Sequence, residues 1–164
     1  MLEKDAKTSE DYYAYINKWF RRYAPFYNLI ALPLSRIRDK VVDMAEAEKG
    51  STVLDVCAGT GSQAFAFGRR GCNVVGIDLS EDMLKVARRR NRHGNVTFEV
   101  ADATRMPFED DYFDVSCISM ALHDMPHEVR QQVLDEMRRV SKRTVIADYN
   151  IPKNRLHRWF HINL

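Results

Sequence analysis

Acidic residues lie at the ends of three short apolar runs that we interpret as β-strands. Asp55 lies in TVLDV, Asp78 follows NVVGI, and Asp102 comes shortly after NVTFEV. The first run leads into a loop with Gly59 and Gly61, and glycine permits backbone conformations that let a ligand approach the main chain closely. Ligands of open parallel sheets bind outside the carboxyl ends of the strands. The pattern therefore predicts one ligand with several hydrogen-bond donors at one edge of a sheet.

The glycine loop is compatible with two kinds of ligand. The segment from Gly59 to Ala64 matches the dinucleotide fingerprint G-x-G-x-x-G/A, with Asp78 as the acid that accepts from a ribose. A dinucleotide leaves Asp55 and Asp102 without a role. A compact nucleoside with a cationic amino-acid tail uses all three carboxylates, because its ribose, amino group and adenine edge each need an acceptor. We favour the second ligand and keep an NAD(P)-binding oxidoreductase as the alternative.

Two further residues could take part in chemistry. His123, in the segment ALHDMP, is the candidate catalytic base, because an imidazole ordinarily titrates near neutral pH. Asp124 either orients that imidazole or caps the helix expected to begin near His127, and we favour the cap. Cys57 could be a nucleophile, but a small buried cysteine usually contributes to packing, which we favour.

Composition excludes several classes of protein. The 164 residues are 45% hydrophobic and 29% charged, with a net charge of +2, which suits one folded core rather than a disordered chain. No apolar run approaches the roughly 20 residues of a membrane-spanning helix, so no integral membrane contact is expected. The small net charge requires no nucleic acid partner. Three cysteines without a C-x-x-C pair predict a reduced cytoplasmic protein that has no disulfide framework and no metal site.

The chain is interpreted as a single domain over residues 1–164. Residues 1–49 have the apolar spacing of a helical cap that prolines divide into shorter helices. Residues 50–150 alternate short apolar runs with helical patterns of about ten to fifteen residues, which predicts an open parallel sheet with helices on both faces. Residues 151–164 are interpreted as a C-terminal tail.

Two local features are predicted within this organisation. The last helix of the cap, over residues 34–48, places Ile37, Val41 and Met44 on one apolar face. Ser80 precedes two acidic residues and an apolar pattern, which predicts that it caps the helix after the second strand.

Four segments in order along the chain carry a resemblance to a known family. VLDVCAGTG, GIDLSEDML, ADATRMPFEDDYFD and ALHDMP together resemble the Rossmann-like, class I methyltransferases that use S-adenosylmethionine, above all the ubiquinone and menaquinone C-methyltransferases. The resemblance implies a Rossmann-like sheet and transfer of a methyl group to a small or lipid-like acceptor such as a quinone precursor. The cofactor-binding residues that it implies are Tyr27, Asp55, Cys57, Ala58, Gly59, Gly61, Asp78, Leu79, Met83, Asp102 and Ala103.

The resemblance also implies which part of the cofactor each end of the site would hold. Asp55, Gly59 and Gly61 would surround the methionine portion, and Tyr27 would reach its carboxylate. Cys57 stands where the D-x-G-x-G-x-G turn usually has its first glycine.

The nucleoside would be held by the next two strand ends. Asp78 would accept hydrogen bonds from the ribose hydroxyls, and Leu79 would lie against the adenine ring. Asp102 would accept from the adenine amino group, while the amide of Ala103 would meet the edge of the ring.

One departure from the family concerns the end of the sheet. The family normally adds an antiparallel hairpin after the fifth strand, and we expect this sequence to lack that hairpin. The strand TVIAD is then an apolar edge, and unpaired edges attract another chain. We expect a homodimer through this strand or the tail, or a fragment of a longer protein. A second alternative function is a catalytically inactive nucleoside-binding module that acts through a partner.

Overall fold

The computed structural model describes residues 35–148, in which helices and strands alternate along the chain. The elements are α1 (Ser35–Ala45), β1 (Thr52–Val56), α2 (Ser62–Arg69), β2 (Asn73–Asp78), α3 (Glu81–Arg90), β3 (Val96–Val100), β4 (Val115–Ser119), a 3-10 turn (Leu122–Asp124), α4 (His127–Val140) and β5 (Thr144–Ala147). Tyr27, most of the predicted helical cap and the C-terminal tail lie outside the described residues.

The five strands form one parallel sheet in the order β3-β2-β1-β4-β5. From β1 the chain first builds outward through β2 and β3, and then returns to the other side of β1 with β4 and β5. The strand order therefore reverses between β1 and β4, and such a reversal opens a crevice at the carboxyl ends of these strands. This arrangement confirms the predicted open parallel sheet. Within the described residues β5 is an edge strand, and its Ile146 is 46% exposed.

Both faces of the sheet are covered, because side chains alternate between the faces along each strand. Val53 on β1 packs in a buried cluster with Phe67 of α2, whereas its neighbour Leu54 packs in a second cluster with Met137 of α4. The predicted helices on both faces are thus confirmed. The same alternation places Asp55 on the face that α1 and α2 cover.

Helix α1 is shorter than predicted and is rotated about its axis. It ends at Ala45, and its buried residues are Val41, Val42 and Ala45. Met44 is 65% exposed, so its predicted place on the buried face was wrong. Successive helical residues are about 100° apart, and packing on the sheet selects the stripe centred on Val41 and Ala45 instead.

Arg139 on α4 holds the loop that precedes β4. Its guanidinium donates to the carboxylate of Glu136 at 2.7 and 2.8 Å and to that of Asp110 at 2.9 Å. It also donates to the backbone carbonyls of Phe108 and Met106, at 2.8 and 3.0 Å. The Arg139 guanidinium holds the pKa of Glu136 below its usual range. One side chain therefore fixes both a helix turn and a loop.

We expect Arg139→Gln to lower the free energy of unfolding by about 2 kcal/mol, since charged hydrogen bonds to the loop are lost and partial exposure reduces their value. Urea denaturation at neutral pH measures this change. Arg138→Gln is the matched control, because Arg138 is exposed and pairs with Asp135 at 3.3 Å within one helix turn. Its effect should stay below about 0.5 kcal/mol, and equal losses in the two variants would contradict the role of Arg139.

Candidate functional site

Two adjoining cavities lie at the carboxyl ends of the strands. The larger, which we call the main cleft, holds about 830 Å³ including its open mouth, and it contains Asp78 and Asp102. The smaller, which we call the side cavity, holds about 560 Å³ including open solvent and contains Asp55. Cys57, Gly59, Ser119 and Met120 line both. The cavities therefore meet where the strand order reverses, between the ends of β1 and β4.

The carboxylate of Asp78, at the end of β2, joins two loops of the main cleft. Its Oδ2 accepts a hydrogen bond from the Gly59 amide and its Oδ1 accepts one from the Ser80 amide, both at 2.8 Å. Burial raises the pKa of Asp78, and these amides oppose the rise. Each carboxylate oxygen has two lone pairs, so both can accept a further hydrogen bond from a ligand.

Gly59 is suited to this position by its backbone. Its φ is +55°, in the left-handed region that favours glycine, and a Cβ there would lie 3.3 Å from Cε of Met83. Met83 lies in the first turn of α3, where its amide donates to Oγ of Ser80 at 3.4 Å. The predicted cap at Ser80 is thus confirmed.

The far end of the main cleft combines an apolar wall with one carboxylate. Leu79, Met83 and Ala103 line it. Asp102 is held by its own loop, because its Oδ1 accepts from the amide and the hydroxyl of Thr104 at 2.9 and 2.7 Å. An apolar slot with a few fixed polar groups is typical of a small-molecule site.

Asp55 in the side cavity is a buried carboxyl with a raised pKa. The residue is 1% exposed, and its Oδ1 accepts from the thiol of Cys117 at 3.4 Å. In the part of the chain that the structure describes, no hydrogen-bond partner reaches its buried Oδ2. Burial raises the pKa of Asp55 to about 7. A buried carboxylate with one unsatisfied oxygen is suited to a ligand that brings a positively charged donor.

Arg38 on α1 also lines the side cavity, together with Ala58 and Gln63. Gln63 on α2 donates from Nε2 to the backbone carbonyl of Arg38 at 3.2 Å, which ties α1 to α2 beside the cavity. The positive charge of Arg38 opposes the effect of burial on the pKa of Asp55. Arg38 was not predicted from the sequence, since it belongs to no motif and lies outside the alternating strands and helices.

Cys57 lies at the junction of the two cavities. Burial raises the pKa of its thiol well above the usual range, and the nearby carboxylates of Asp78 and Asp55 raise it further. The thiol therefore stays protonated at neutral pH, which favours packing over a nucleophilic role. Its backbone takes the left-handed conformation (φ +57°), and Gly61 nearby does the same (φ +81°). A Cβ on Gly61 would lie 2.6 Å from the ring of Phe98, so only glycine fits there.

His123 lies between two carboxylates beside the main cleft. Its Nδ1 is 2.7 Å from Oδ1 of Asp148, and its amide donates to Oδ2 of Asp148 at 2.9 Å. Its Nε2 is 3.3 Å from Oδ2 of Asp124. Asp124 is among the residues that line the main cleft, whereas His123 is not. The catalytic role of His123 stays a prediction.

The preferred interpretation of Asp124 was wrong, and Asp148 was missed. Pro126 precedes the first residue of α4, and the helix has no side-chain cap there. Asp124 instead contacts the imidazole of His123, which is the interpretation that we did not favour. Asp148 directly follows β5, so the rule that led to the other strand ends would also have found it.

Within residues 35–148, no three His, Cys, Asp or Glu side chains are grouped so as to hold a metal ion. None of the helices in that range combines the length and apolar character needed to cross a membrane. Cys57, Cys72 and Cys117 are all free thiols.

Comparison with known proteins gives consistent names. A demethylmenaquinone methyltransferase from Paenarthrobacter aurescens (strain TC1) is 38% identical over 141 residues, which cover 81% of this chain and 54% of that protein. A ubiquinone/menaquinone biosynthesis C-methyltransferase from Geobacter sulfurreducens is 33% identical over 156 residues, covering 86% of this chain and 60% of the relative. The chain spans about half the length of the curated relatives it matches.

The fold leads to the same group of proteins. A solved structure of a protein from Bacillus halodurans C-125 superposes with a TM-score of 0.64 at 33% identity, covering 73% of this chain and 53% of that one. A family model described as "Methyltransferase domain" matches residues 53–144, which include all the residues described above that line the main cleft. This match spans more than half of the chain and runs from β1 to the start of β5, and the chain therefore belongs to the methyltransferase domain family.

Proposed function

We propose that this chain binds S-adenosylmethionine and takes part in transferring its methyl group to a small or lipid-like acceptor. The observation that carries the proposal is the buried, unsatisfied Oδ2 of Asp55 in a cavity that adjoins the cleft of Asp78 and Asp102. A ligand with an ammonium group at one end, a ribose in the middle and an amino-bearing ring at the other would supply donors to all three carboxylates. The family match gives no support to the NAD(P)-binding alternative.

Each part of that ligand has a proposed partner. In the main cleft, Asp78 would accept from the ribose hydroxyls, and Asp102 would accept from the amino group of the ring. The apolar wall with Leu79 and Ala103 would contact the faces and edge of the ring. In the side cavity, Asp55 would accept from the ammonium group, which favours the ionised form of this carboxyl.

For methyl transfer, the protein would mainly need to align the methyl donor with the acceptor. S-adenosylmethionine supplies a methyl group that is already activated by a positively charged sulfur. As the acceptor forms a bond to the methyl carbon, the bond between carbon and sulfur breaks, and its electron pair neutralises the charge on sulfur. Cys57, Ser119 and Met120 line both cavities, so this part of the chain would exclude water and fix the approach of the acceptor. For an acceptor atom that carries a proton, the proposed base is His123, which lies behind Asp124 of the cleft lining and contacts Asp148 on its other side.

The acceptor that we propose is a reduced quinone precursor with a lipid-like tail. The names of the relatives support this choice. Met125, Val129 and Val133 extend the apolar lining of the main cleft toward α4, which suits an apolar acceptor.

We also propose that the protein is cytoplasmic and contacts the membrane surface when it binds such an acceptor. Pairing of β5 with a second copy of the chain is part of the same proposal, supported by its place at the edge of the sheet within residues 35–148.

Calorimetry on the purified chain tests the proposal. We expect binding of S-adenosylhomocysteine with a dissociation constant on the order of micromolar and no measurable binding of NAD. Tight binding of NAD without S-adenosylhomocysteine would contradict it. Transfer of a labelled methyl group to a reduced demethylmenaquinone analogue tests the activity. Binding without transfer to any acceptor, also after addition of candidate partners, would favour the inactive nucleoside-binding module.

A further inference from the structure

The described lining of the side cavity contains two charged side chains of opposite sign. Asp55 on β1 is the anion and Arg38 on α1 is the cation, and the remaining described lining residues are uncharged. We propose that Arg38 binds the α-carboxylate of the ligand's amino-acid tail, so that the side cavity recognises an α-amino acid in its zwitterionic form. This inference rests on the proposed function and assigns the acidic end of the ligand to a residue outside the matched family segment.

The position of Arg38 is fixed by the packing of its helix. Val41 and Ala45, one and two turns along α1, are 1% and 0% exposed and anchor the helix in the core. The hydrogen bond from Gln63 to the Arg38 carbonyl adds a polar tie to α2, whose first turn forms another wall of the side cavity. Arg38 itself is half-buried. Arg38 thus lines the cavity from a helix that is packed on the core.

The charges of the cavity complement a zwitterion better than a simple cation. The positive charge of Arg38 acts on the carboxyl of Asp55, so the two side chains lie within electrostatic range of each other. An ammonium group on Asp55 and a carboxylate on Arg38 would each meet its opposite charge. A guanidinium has five N–H donors in a planar fork and can bind a carboxylate through two of them while it keeps other contacts.

The resemblance to the family led us to expect Tyr27 at the carboxylate, and that residue lies outside the described part of the chain. A tyrosine hydroxyl would add one neutral donor. Arg38 adds a full positive charge, and charge-assisted hydrogen bonds are roughly twice as strong as neutral ones. Arg38 is therefore the residue whose loss should be felt by a ligand that carries the carboxylate.

A pair of ligands separates this role from a structural one. S-adenosylhomocysteine carries the amino-acid tail, whereas 5′-methylthioadenosine has the same nucleoside and thioether without it. We expect Arg38→Gln to weaken binding of S-adenosylhomocysteine by about 10- to 100-fold and to leave the affinity for 5′-methylthioadenosine unchanged. Arg38→Lys should recover part of the loss. Lys40→Gln is the matched control, since it removes an equal charge from an exposed position of the same helix.

Each outcome of this calorimetric experiment has a definite meaning. An equal loss for both ligands would show that Arg38 only supports the fold, and unchanged affinity for S-adenosylhomocysteine would show that it does not touch the tail. Both results overturn the inference while the proposed function stands. If the unaltered chain binds neither ligand, the proposed function fails, and the inference fails with it. If Lys40→Gln lowered the affinity for S-adenosylhomocysteine as much as Arg38→Gln, the effect would come from net charge alone. This result would also overturn the inference.

Discussion

Asp78→Ala should lower the affinity for S-adenosylhomocysteine by about 100-fold, which corresponds to about 3 kcal/mol. The substitution removes the proposed acceptor for the ribose hydroxyls. It also leaves the amides of Gly59 and Ser80 without the carboxylate that they bind at 2.8 Å. Both losses act on the nucleoside end of the ligand, so binding of 5′-methylthioadenosine should fall by a similar factor. Calorimetry with the two ligands measures the effect.

Asp82→Ala is the control for this substitution. Asp82 lies four residues further along the chain, in the first turn of α3, and pairs with Lys85 at 3.3 Å on the surface. Its removal should leave both affinities unchanged. Thermal unfolding of the two variants separates loss of binding from loss of folding. Unchanged affinity of Asp78→Ala would mean that the ribose does not bind in the main cleft.

Asp55→Asn should make the ligand-free chain more stable at about pH 8 and weaken its binding of S-adenosylhomocysteine about 100-fold. In the unfolded chain the Asp55 carboxyl has its ordinary pKa of 3.8, and in the folded chain burial raises that pKa to about 7. Between these values the folded state holds the proton that the unfolded state has released. The contribution of Asp55 to stability is therefore greatest below the lower value and is lost as the pH rises through about 7.

The loss from this carboxyl amounts to about 4 kcal/mol once it is fully ionised. Asparagine cannot ionise and does not suffer this loss, although its buried amide needs a partner at a cost of about 1–3 kcal/mol. We therefore expect a net gain of about 1–3 kcal/mol at about pH 8 and no gain at about pH 5. Urea denaturation of both proteins at the two pH values measures it. A difference between the proteins that does not change with pH would contradict the raised pKa.

Binding gives the second half of this prediction. An ammonium group stabilises the ionised carboxylate, so the unaltered chain should release a proton on binding near pH 6 and bind more tightly as the pH rises toward 8. Asp55→Asn should lose both effects together with most of the affinity. Calorimetry in buffers of different ionisation enthalpy measures the released proton, and Asp82→Asn serves as the control. An unaltered affinity in Asp55→Asn would place the ammonium group elsewhere.

The parts of the fold that the sequence predicted well depend on local chemistry. The β-branched runs before each glycine or acidic residue marked the strands, and the hydroxyl of Ser80 marked the start of α3. Strand β4 begins only at Val115, and Phe113 before it forms an isolated bridge with Ser141. The side chain of Asp114 accepts from the amide of Thr52 at 2.9 Å and replaces the backbone acceptor of a regular ladder there.

The parts that it did not predict depend on contacts between distant segments. The hydrogen bonds that join Gln63 to Arg38 and His123 to Asp148 each connect residues 25 positions apart. The position of Asp148 at a strand end could have been predicted, but neither contact has a spacing that a local pattern can detect. The exposed Met44 shows the same limit, since its helix has more than one apolar stripe and the sheet determines which one is buried.

The two amides that hold the carboxylate of Asp78 have a consequence for the free energy of ligand binding. They fix its χ angles before any ligand arrives, because each oxygen already has one partner in the main chain. The rotamer entropy of this side chain is therefore lost during folding and not during ligand binding. A nucleoside entering the cleft would meet preorganised acceptors, and its gain in hydrogen bonding would not be reduced by ordering them.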